Sequence, residues 1–282
     1  MRKLAIGGIV IILVVIGAFA ASDNVLTNNN DTTMVITYGE TTYNNQQYKS
    51  IVDDYFSQNA NVILENVTTE VITANEVNQI SQGISNKTYD SNQIFSSALV
   101  DLNGTGNLTV NVDTSKITLV TEEMYASALN STGINQGYVV VTSPISATGE
   151  SALAGIMSCY EEATNKHIPD EVKKAANDEI YAQSEVVNSS NASPHQISGL
   201  VSEVKEEVAQ NNTTDIGAIA DAVEQTASNN GIELSQADID KLAEAILQTQ
   251  SVKDQANDYK NQVTNVINNG GNGFNIFNIF NF

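Results

Sequence analysis

The sequence predicts a mixed sheet with helices, of the α+β or α/β class, over residues 34–164, followed by an all-helical region over residues 165–269. Between residues 115 and 160, strand-like and helix-like patterns alternate with short connections. Beyond residue 164, nearly every segment has the three- and four-residue spacing of apolar side chains that is typical of amphipathic helices. With 282 residues, 41% of them hydrophobic, the chain is long enough to bury a substantial core.

The central stretch is where the local signals agree best. Lys116–Val120 is a short β-branched run that predicts a strand, and Thr121 can cap a helix that ends at Gly133. Tyr138–Val141 is a continuous apolar run bounded by turn residues, which predicts a strand buried on both faces. Thr148 and Gly149 then open a second helix.

Two strands and two helices are predicted upstream of this stretch. Met34–Tyr38 predicts the first strand, and Asn61–Leu64 predicts the second. A helix is expected from about Tyr43 to Gln58, and a shorter one over Ala74–Ile84. The apolar face of the longer helix comprises Tyr48, Ile51, Val52 and Tyr55.

Ser96–Val112 has the pattern of a β-hairpin. Two runs of alternating apolar residues flank the turn sequence Asn103–Asn107, whose Gly and Asn residues tolerate positive φ. We therefore expect one buried face and one exposed face. The turn begins like a calcium-binding loop at Asp101, but Val112 stands where calcium needs a bidentate carboxylate, so no metal ligand is assigned.

Four helices are predicted after residue 164 from their start signals. They begin at Ile168–Glu171, at Ser193–Pro194, at Asp215 and at Ser235. The apolar spacing in the last helix drifts enough to predict a bend near Gln250. The second helix has an apolar stripe that consists of Ile197, Leu200, Val201, Val204 and Val208.

The N-terminus has the pattern of an export signal. Arg2 and Lys3 precede an uncharged stretch that ends at a small-x-small site, so residues 1–21 predict a signal peptide cleaved after Ala20. The alternative is an uncleaved membrane anchor of the same length. Both interpretations place the body outside the cytoplasm, secreted or membrane-anchored, and residues 22–33 form a polar linker.

Export makes the Asn-x-Ser/Thr triplets candidate glycosylation sites, which would make the protein a glycoprotein. These candidates are Asn30, Asn66, Asn86, Asn103, Asn107, Asn130, Asn188, Asn191, Asn211 and Asn212.

Residues 270–282 consist of a glycine joint followed by a tail of Phe, Asn and Ile. Aromatic side chains on such a joint cannot bury themselves locally. We therefore expect them to dock on a cell-envelope component, another protein or a membrane, or to pack back onto the helical region. The docking candidates are Phe274, Phe277, Phe280 and Phe282.

The charge balance narrows the range of partners. Acidic residues outnumber basic ones 33 to 12, and no arginine follows Arg2. Nucleic acid and anionic lipid are therefore excluded as expected partners, and cations or basic surfaces are favoured. Cys159 is the only cysteine, which rules out an internal disulfide, and its apolar helical context predicts a core residue rather than a nucleophile.

The sequence offers no assigned catalytic, metal-binding or cofactor-binding residue. Ser151 follows a buried strand, but Leu153 stands where a nucleophile elbow requires Gly. The possible bases, His167 and His195, show no sign of pairing with it. Two histidines and one cysteine also match no structural zinc site.

We therefore expect an extracytoplasmic protein that acts in the cell envelope by binding or by a structural role rather than by catalysis. The alternative is an envelope or glycan hydrolase that uses two carboxylates, such as Glu150 with Glu161 or Asp170. Glycoside hydrolysis requires the two carboxyl groups to lie about 5 to 9.5 Å apart. A cation-dependent adhesin is a third hypothesis.

A set of short motifs, densest between residues 117 and 180, resembles a known pattern. The motifs are Val120–Ala126, Ala128–Leu129, Gly133–Ile134, Pro144, Gly149, Ala152–Met157, Tyr160–Glu161, Ile168–Glu179 and, more weakly, Ile232–Ser235. Together they resemble the YpuA-like family of secreted proteins, a domain-of-unknown-function family, over roughly residues 34–266. The resemblance implies export and a shared domain, and it supplies no catalytic residue because the family has no assigned activity. The Asn-rich leader and the Phe-rich tail depart from the family pattern.

Overall fold

The computed structural model describes residues 31–60, 62–84, 87–103 and 106–270. Their sheet has five strands, β1 to β5, in the order β2-β1-β3-β5-β4. β1 pairs in parallel with β2, β3 is antiparallel to both β1 and β5, and β4 is parallel to β5. The strands are β1 Asp31–Gly39, β2 Val67–Ile72, β3 Ser97–Asp101, β4 Thr109–Val112 and β5 Tyr138–Thr142. The predicted mixed sheet is therefore confirmed.

Helices surround the sheet, and the region after residue 164 is all helical, as predicted. In the first part of the chain they are α1 Glu40–Tyr43, α2 Gln46–Asn59, α3 Ala74–Ser81, α4 Glu122–Ser131 and α5 Ala152–Thr164. In the second part they are α6 Asp170–Ser189, α7 Pro194–Asn211, α8 Ile216–Asn229, α9 Gln236–Ser251 and α10 Lys253–Gly270.

The predicted hairpin over residues 96–112 is wrong, although both of its strands exist. β5 lies between β3 and β4, so that Val140 is registered with Leu99 on one side and with Asn111 on the other. The reason is that Val139, Val140 and Val141 are all fully buried, and a strand that is apolar on both faces takes an inner position. β3 also lacks the expected exposed face, since its first four residues are buried.

Two other strand predictions are wrong. The strand predicted at Asn61–Leu64 starts instead at Val67. Asn61 lies outside the described residues, residues 62–63 belong to no strand, and Leu64 begins a 3₁₀ turn. Lys116–Val120 makes only an isolated bridge between Ile117 and Ala147. This run pairs with a two-residue stretch of loop through three backbone hydrogen bonds, so it has too short a partner to become a strand.

The predicted start and end of α4 are confirmed, and the predicted start of α2 differs by three residues. The hydroxyl of Thr121 accepts a hydrogen bond from the backbone N–H of Met124 at the start of α4, and Gly133, with φ of 87°, follows its end. α2 begins at Gln46 rather than Tyr43, because Asn45 caps it. Its buried residues are Val52 and Phe56, whereas Ile51 from the predicted apolar face is exposed.

The later helices also start where the sequence predicts. Side chains of Ser193, Asp215 and Ser235 cap α7, α8 and α9. The bend expected near Gln250 is a break at Val252, which separates α9 from α10. The predicted stripe of α7, which consists of Ile197, Leu200, Val201, Val204 and Val208, is buried along its whole length.

The hydrophobic residues form two large clusters. The first joins one face of the sheet to α4, α5, α6 and α10, and it includes Cys159, which is fully buried as predicted. The second is formed by α6 to α9. α10 therefore joins the first cluster through Tyr259 and Val263 and packs against α5, while α9 packs in the helical cluster. The boundary at residues 164–165 stays a prediction.

Within the described ranges, we find no helix that combines the length and the apolarity needed to cross a membrane. The predicted leader (residues 1–21), most of the linker and the tail after residue 270 lie outside the described residues.

Candidate functional site

Most of the predicted surface sites that fall in the described residues are exposed. Ala20, Asn30, Asn86 and the four docking phenylalanines, Phe274, Phe277, Phe280 and Phe282, lie outside these residues. Asn66 ends a 3₁₀ turn. The exposed glycosylation candidates are Asn103, Asn107, Asn130, Asn188, Asn191, Asn211 and Asn212.

Ser151 and the two histidines do not come together. Ser151 is buried at the start of α5. His167 is exposed and contacts Glu161, and His195 is exposed and lies 3.1 Å from the carboxylate of Glu123. A serine nucleophile with a histidine base is thus not formed among these residues.

The carboxylates Glu150 and Glu161 are also held apart. Glu150 precedes α5, where it is 1% exposed and accepts hydrogen bonds from Lys87 at 2.9 Å and from Thr148. Glu161 lies near the other end of the same helix. At a rise of 1.5 Å per residue, about 15 Å separates them along the axis, which exceeds the separation that glycoside hydrolysis allows.

Glu161 and Asp170 do share a groove of about 300 Å³ between α3, α5 and α6, which we call the paired groove. Both carboxylates contact His167, and Glu161 also lies 2.7 Å from Lys173. Beside the groove, Glu70 accepts a 2.6 Å hydrogen bond from the hydroxyl of Ser158. Burial raises the pKa of Glu70.

A second cavity, of about 340 Å³, lies between the end of α4, α7, and the junction of α9 with α10. We call it the lysine cavity because Lys205, Lys253 and Lys260 all line it. No aspartate or glutamate is among the described residues that line it. Its polar wall consists of Asn130, Ser131, Asn135, Thr249, Gln250 and Asn257.

Two structural features shape the lysine cavity. The positive φ of Gly133 turns the chain at the end of α4, and a Cβ on this residue would lie 2.2 Å from the carbonyl oxygen of Ala256. The break at Val252 starts α10 beside this turn. Lys253 and Lys260 are seven residues apart on α10, about two helical turns, so they lie on the same side of the helix.

The three lysines differ in their partners. Lys205 Nζ lies 2.8 Å from each carboxylate oxygen of Glu179, and it donates to the hydroxyl of Ser131 at 2.6 Å. Glu179 is 1% exposed, so this is an ion pair with a buried acid. By contrast, no carboxylate among the described residues lies within 4.0 Å of the ammonium group of Lys253 or Lys260.

Sequence reasoning missed this cavity because its lysines come from two helices and its walls from four. A weak signal was present on α10, where neither Lys253 nor Lys260 has an acidic residue at the fourth position before or after it. In a chain with 33 acidic and 12 basic residues, such a helix face is a local exception to the overall charge.

Comparisons with known proteins place the chain in a family. Residues 38–266 match the family described as "Protein of unknown function (DUF1002)", a range that includes the three lysines of the cavity. The chain is similar to the "Uncharacterized protein YpuA" of Bacillus subtilis (strain 168), with 31% identity over 216 residues, which cover 72% of each chain. No solved structure matches it. The resemblance to YpuA-like proteins is thereby confirmed, and the chain belongs to the DUF1002 family of proteins of unknown function.

Proposed function

We propose that this protein is an exported, non-enzymatic binding module of the cell envelope that holds an anionic ligand in the lysine cavity. The observation that carries the proposal is the pair Lys253 and Lys260, which line one cavity without a carboxylate partner among the described residues. Two ammonium groups on one wall give a site that attracts negative charge.

The cavity has the composition of a binding site. Ammonium groups donate charge-assisted hydrogen bonds to phosphate or carboxylate oxygens, which are stronger than bonds between neutral groups. The amides of Asn135 and Asn257 can donate and accept further hydrogen bonds, and Val208 and Ile246 supply an apolar surface. Such a site recognises a ligand without any reacting group.

Electrostatics limits the strength of binding. The net charge of −21 repels an approaching anion over long distances, whereas the lysines attract it once it reaches the cavity. We therefore expect modest affinity for a single ion and a stronger response to ligands that make several contacts.

The test is calorimetric titration of the full chain with inorganic phosphate. The double variant Lys253→Gln, Lys260→Gln should lose binding. The matched control Lys116→Gln, Lys166→Gln removes the same charge from lysines that lie outside the cavity and should bind as the parent chain does. Equal binding by both double variants, or no binding of inorganic phosphate or any phosphate ester by the parent chain, would overturn the proposal.

The same lysines have a structural alternative that the test also addresses. α4, α7 and α9 all end near the cavity, and lysines near helix C-termini offset the negative end of the helix dipole. If that were their role, the Lys253→Gln, Lys260→Gln variant would lower the melting temperature of the ligand-free chain. We expect it to leave that temperature nearly unchanged.

A second candidate function is hydrolysis of an envelope glycan at the paired groove. It is favoured by Glu70, whose pKa is raised by burial, beside a groove that Glu161 and Asp170 line. A carboxyl group with a raised pKa close to a second carboxyl group is the arrangement that glycosidases use. Release of reducing ends from cell-wall polysaccharide by the parent chain, and its loss in Glu161→Gln, would establish this activity.

Export and partner docking belong to the same proposal. The leader pattern of residues 1–21 supports placement outside the cytoplasm, and the mass of the protein recovered from medium and membrane fractions tests it. Deletion of residues 270–282 should abolish association with the envelope partner while the melting transition stays nearly the same. A large loss of thermal stability would show that the tail belongs to the core.

A further inference from the structure

We infer that the anionic ligand of the lysine cavity is a polyol phosphate, a phosphate ester that carries hydroxyl groups on an open carbon chain. The inference rests on the proposed function and specifies its ligand class. It rests on the size of the cavity, on the two lysines that have no carboxylate partner among the described residues, and on the polar groups around them.

The cavity is larger than a bare ion requires. Its volume is about 340 Å³, whereas a water molecule takes about 30 Å³ in the liquid, so a small organic phosphate can enter it. Glycerol phosphate fits within this space. An inorganic phosphate ion would leave much of the cavity occupied by water alone.

Charge favours a phosphate ester over a single carboxylate. Lys205 is already neutralised by Glu179, so Lys253 and Lys260 contribute the unbalanced positive charge. A phosphate monoester carries close to two negative charges at neutral pH, because its second pKa is about 6. Its charge therefore matches that of the two lysines.

The polar residues that line the cavity beside its lysines favour a ligand with hydroxyl groups. Asn135 and Asn257 each offer an amide that both donates and accepts, which is the pairing that a hydroxyl group requires. No aromatic residue is among the described residues that line the cavity, so it lacks the stacking platform that a sugar ring would use. An open polyol chain fits this wall better than a ring does.

The experiment is calorimetric titration of the full chain with four probes: inorganic phosphate, sn-glycerol 3-phosphate, propyl phosphate and glycerol. Propyl phosphate has the charge and carbon number of glycerol phosphate but no hydroxyl groups. We expect glycerol phosphate to bind about tenfold more tightly than propyl phosphate, since one or two additional hydrogen bonds account for such a ratio.

Two sets of variants separate the contribution of the lysines from that of the asparagines. Lys253→Gln with Lys260→Gln should remove binding of all three phosphates. Asn135→Leu with Asn257→Leu keeps the branched shape of each side chain but removes its polar atoms, and neither Asn side chain makes a hydrogen bond to another described residue. This variant should bind propyl phosphate as the parent chain does and lose the tenfold preference.

The outcomes distinguish the two proposals. Equal affinity for glycerol phosphate and propyl phosphate, with binding still dependent on the lysines, would overturn the polyol inference and leave the anion-binding function standing. Absence of binding by all phosphates would overturn both. A short oligomer of glycerol phosphate, whose linking phosphodiesters carry one negative charge each, serves as a further arm. Tighter binding of the oligomer than of the monomer identifies a polymer as the source, and equal or weaker binding identifies a free monoester.

Discussion

The lysine cavity and the paired groove are similar in volume but opposite in the state of their charges. In the paired groove, Lys173 lies 2.7 Å from Glu161, and His167 contacts both Glu161 and Asp170. In the lysine cavity, Lys205 is paired with Glu179, but no such partner is found for Lys253 or Lys260 among the described residues. Charges that are already satisfied within the fold stabilise it, whereas unsatisfied charges around a cavity are available to a ligand.

We therefore expect the lysine cavity to contain two kinds of groups. Mutation of the structural groups should lower stability, and mutation of the ligand-binding groups should weaken binding. Changes to Gly133, Lys205 and Glu179 should act on stability. Changes to Lys253 and Lys260 should act on binding alone.

Gly133→Ala should be the most damaging change near the cavity. Its φ of 87° disfavours any side chain, and a Cβ would lie 2.2 Å from the backbone oxygen of Ala256. We expect a loss of about 4 kcal/mol in the free energy of unfolding, measured by urea denaturation. Gly231 is the matched control, because its φ is 67° but nothing lies within 4 Å of the added Cβ. Gly231→Ala should cost about 1 kcal/mol, and equal losses would contradict the role given to the contact with Ala256.

Lys205→Met should lower the free energy of unfolding by about 3 kcal/mol, because it leaves the carboxylate of Glu179 buried without a cation. The same change at Lys253 removes no ion pair with a described residue and should cost less than about 0.5 kcal/mol. The double variant Glu179→Gln, Lys205→Met should be more stable than Lys205→Met alone. If Lys205→Met and Lys253→Met have the same effect, the distinction between paired and unpaired lysines fails.

A third cavity extends the comparison to acidic residues. Asp178 lies in it with Glu185, Lys241 and Glu244, and burial, together with the charges of Glu244 and Glu185, raises the pKa of Asp178 to about 6. The folded chain therefore binds more protons than the unfolded chain between the ordinary carboxyl pKa and about pH 6, so this group makes the fold less stable as pH rises through that window.

Asp178→Asn removes this penalty. We expect it to raise the free energy of unfolding at pH 7.5 by about 1 kcal/mol, after allowance for the partial exposure of the carboxyl group. At pH 4 the difference from the parent chain should be much smaller, because the carboxyl group is then protonated in the folded chain and about half protonated in the unfolded chain. Urea denaturation at the two pH values measures both quantities, and a stabilisation that is equal at both would exclude the proton-linked explanation.

Lys173→Gln and Lys253→Gln form the smallest and most selective pair. Lys173→Gln should lower stability by about 1 kcal/mol, since Glu161 loses an ion-pair partner, and should leave phosphate binding intact. Lys253→Gln should leave stability nearly unchanged and should weaken phosphate binding. Thermal melting and phosphate titration are measured for both variants. A change in both stability and phosphate affinity in either variant would contradict this separation.

The local signals in the sequence predicted the helices far better than the sheet order. Thr121, Ser193, Asp215 and Ser235 act through hydrogen bonds to neighbours within three residues, so their effect is visible in a short window of sequence. The pairing of β5 between β3 and β4 depends on contacts between distant residues, and the turn sequence at Asn103 wrongly favoured a hairpin.

The candidate site was beyond sequence prediction for a similar reason. Lys205 lies on α7, and Lys253 and Lys260 lie on α10. The close approach of Gly133 to Ala256 and the hydrogen bond from Lys205 to Ser131 bring the end of α4 to the same place. The sequence suggested Glu150 and Glu161 as a carboxylate pair, yet these residues lie near opposite ends of α5. The burial of Cys159, by contrast, followed from its apolar helical neighbours alone.

The most direct test of the central claim is a carbon NMR titration of the full chain, with its lysines labelled by reductive methylation, which keeps their positive charge. Inorganic phosphate is added, and each signal is assigned by a single Lys→Arg variant. We expect the signals of Lys253 and Lys260 to shift with a common saturation curve, while those of Lys49, Lys173 and Lys241, which are paired with carboxylates, stay in place. Unsaturated shifts of similar size at all exposed lysines, or no shift at Lys253 and Lys260, would contradict the account.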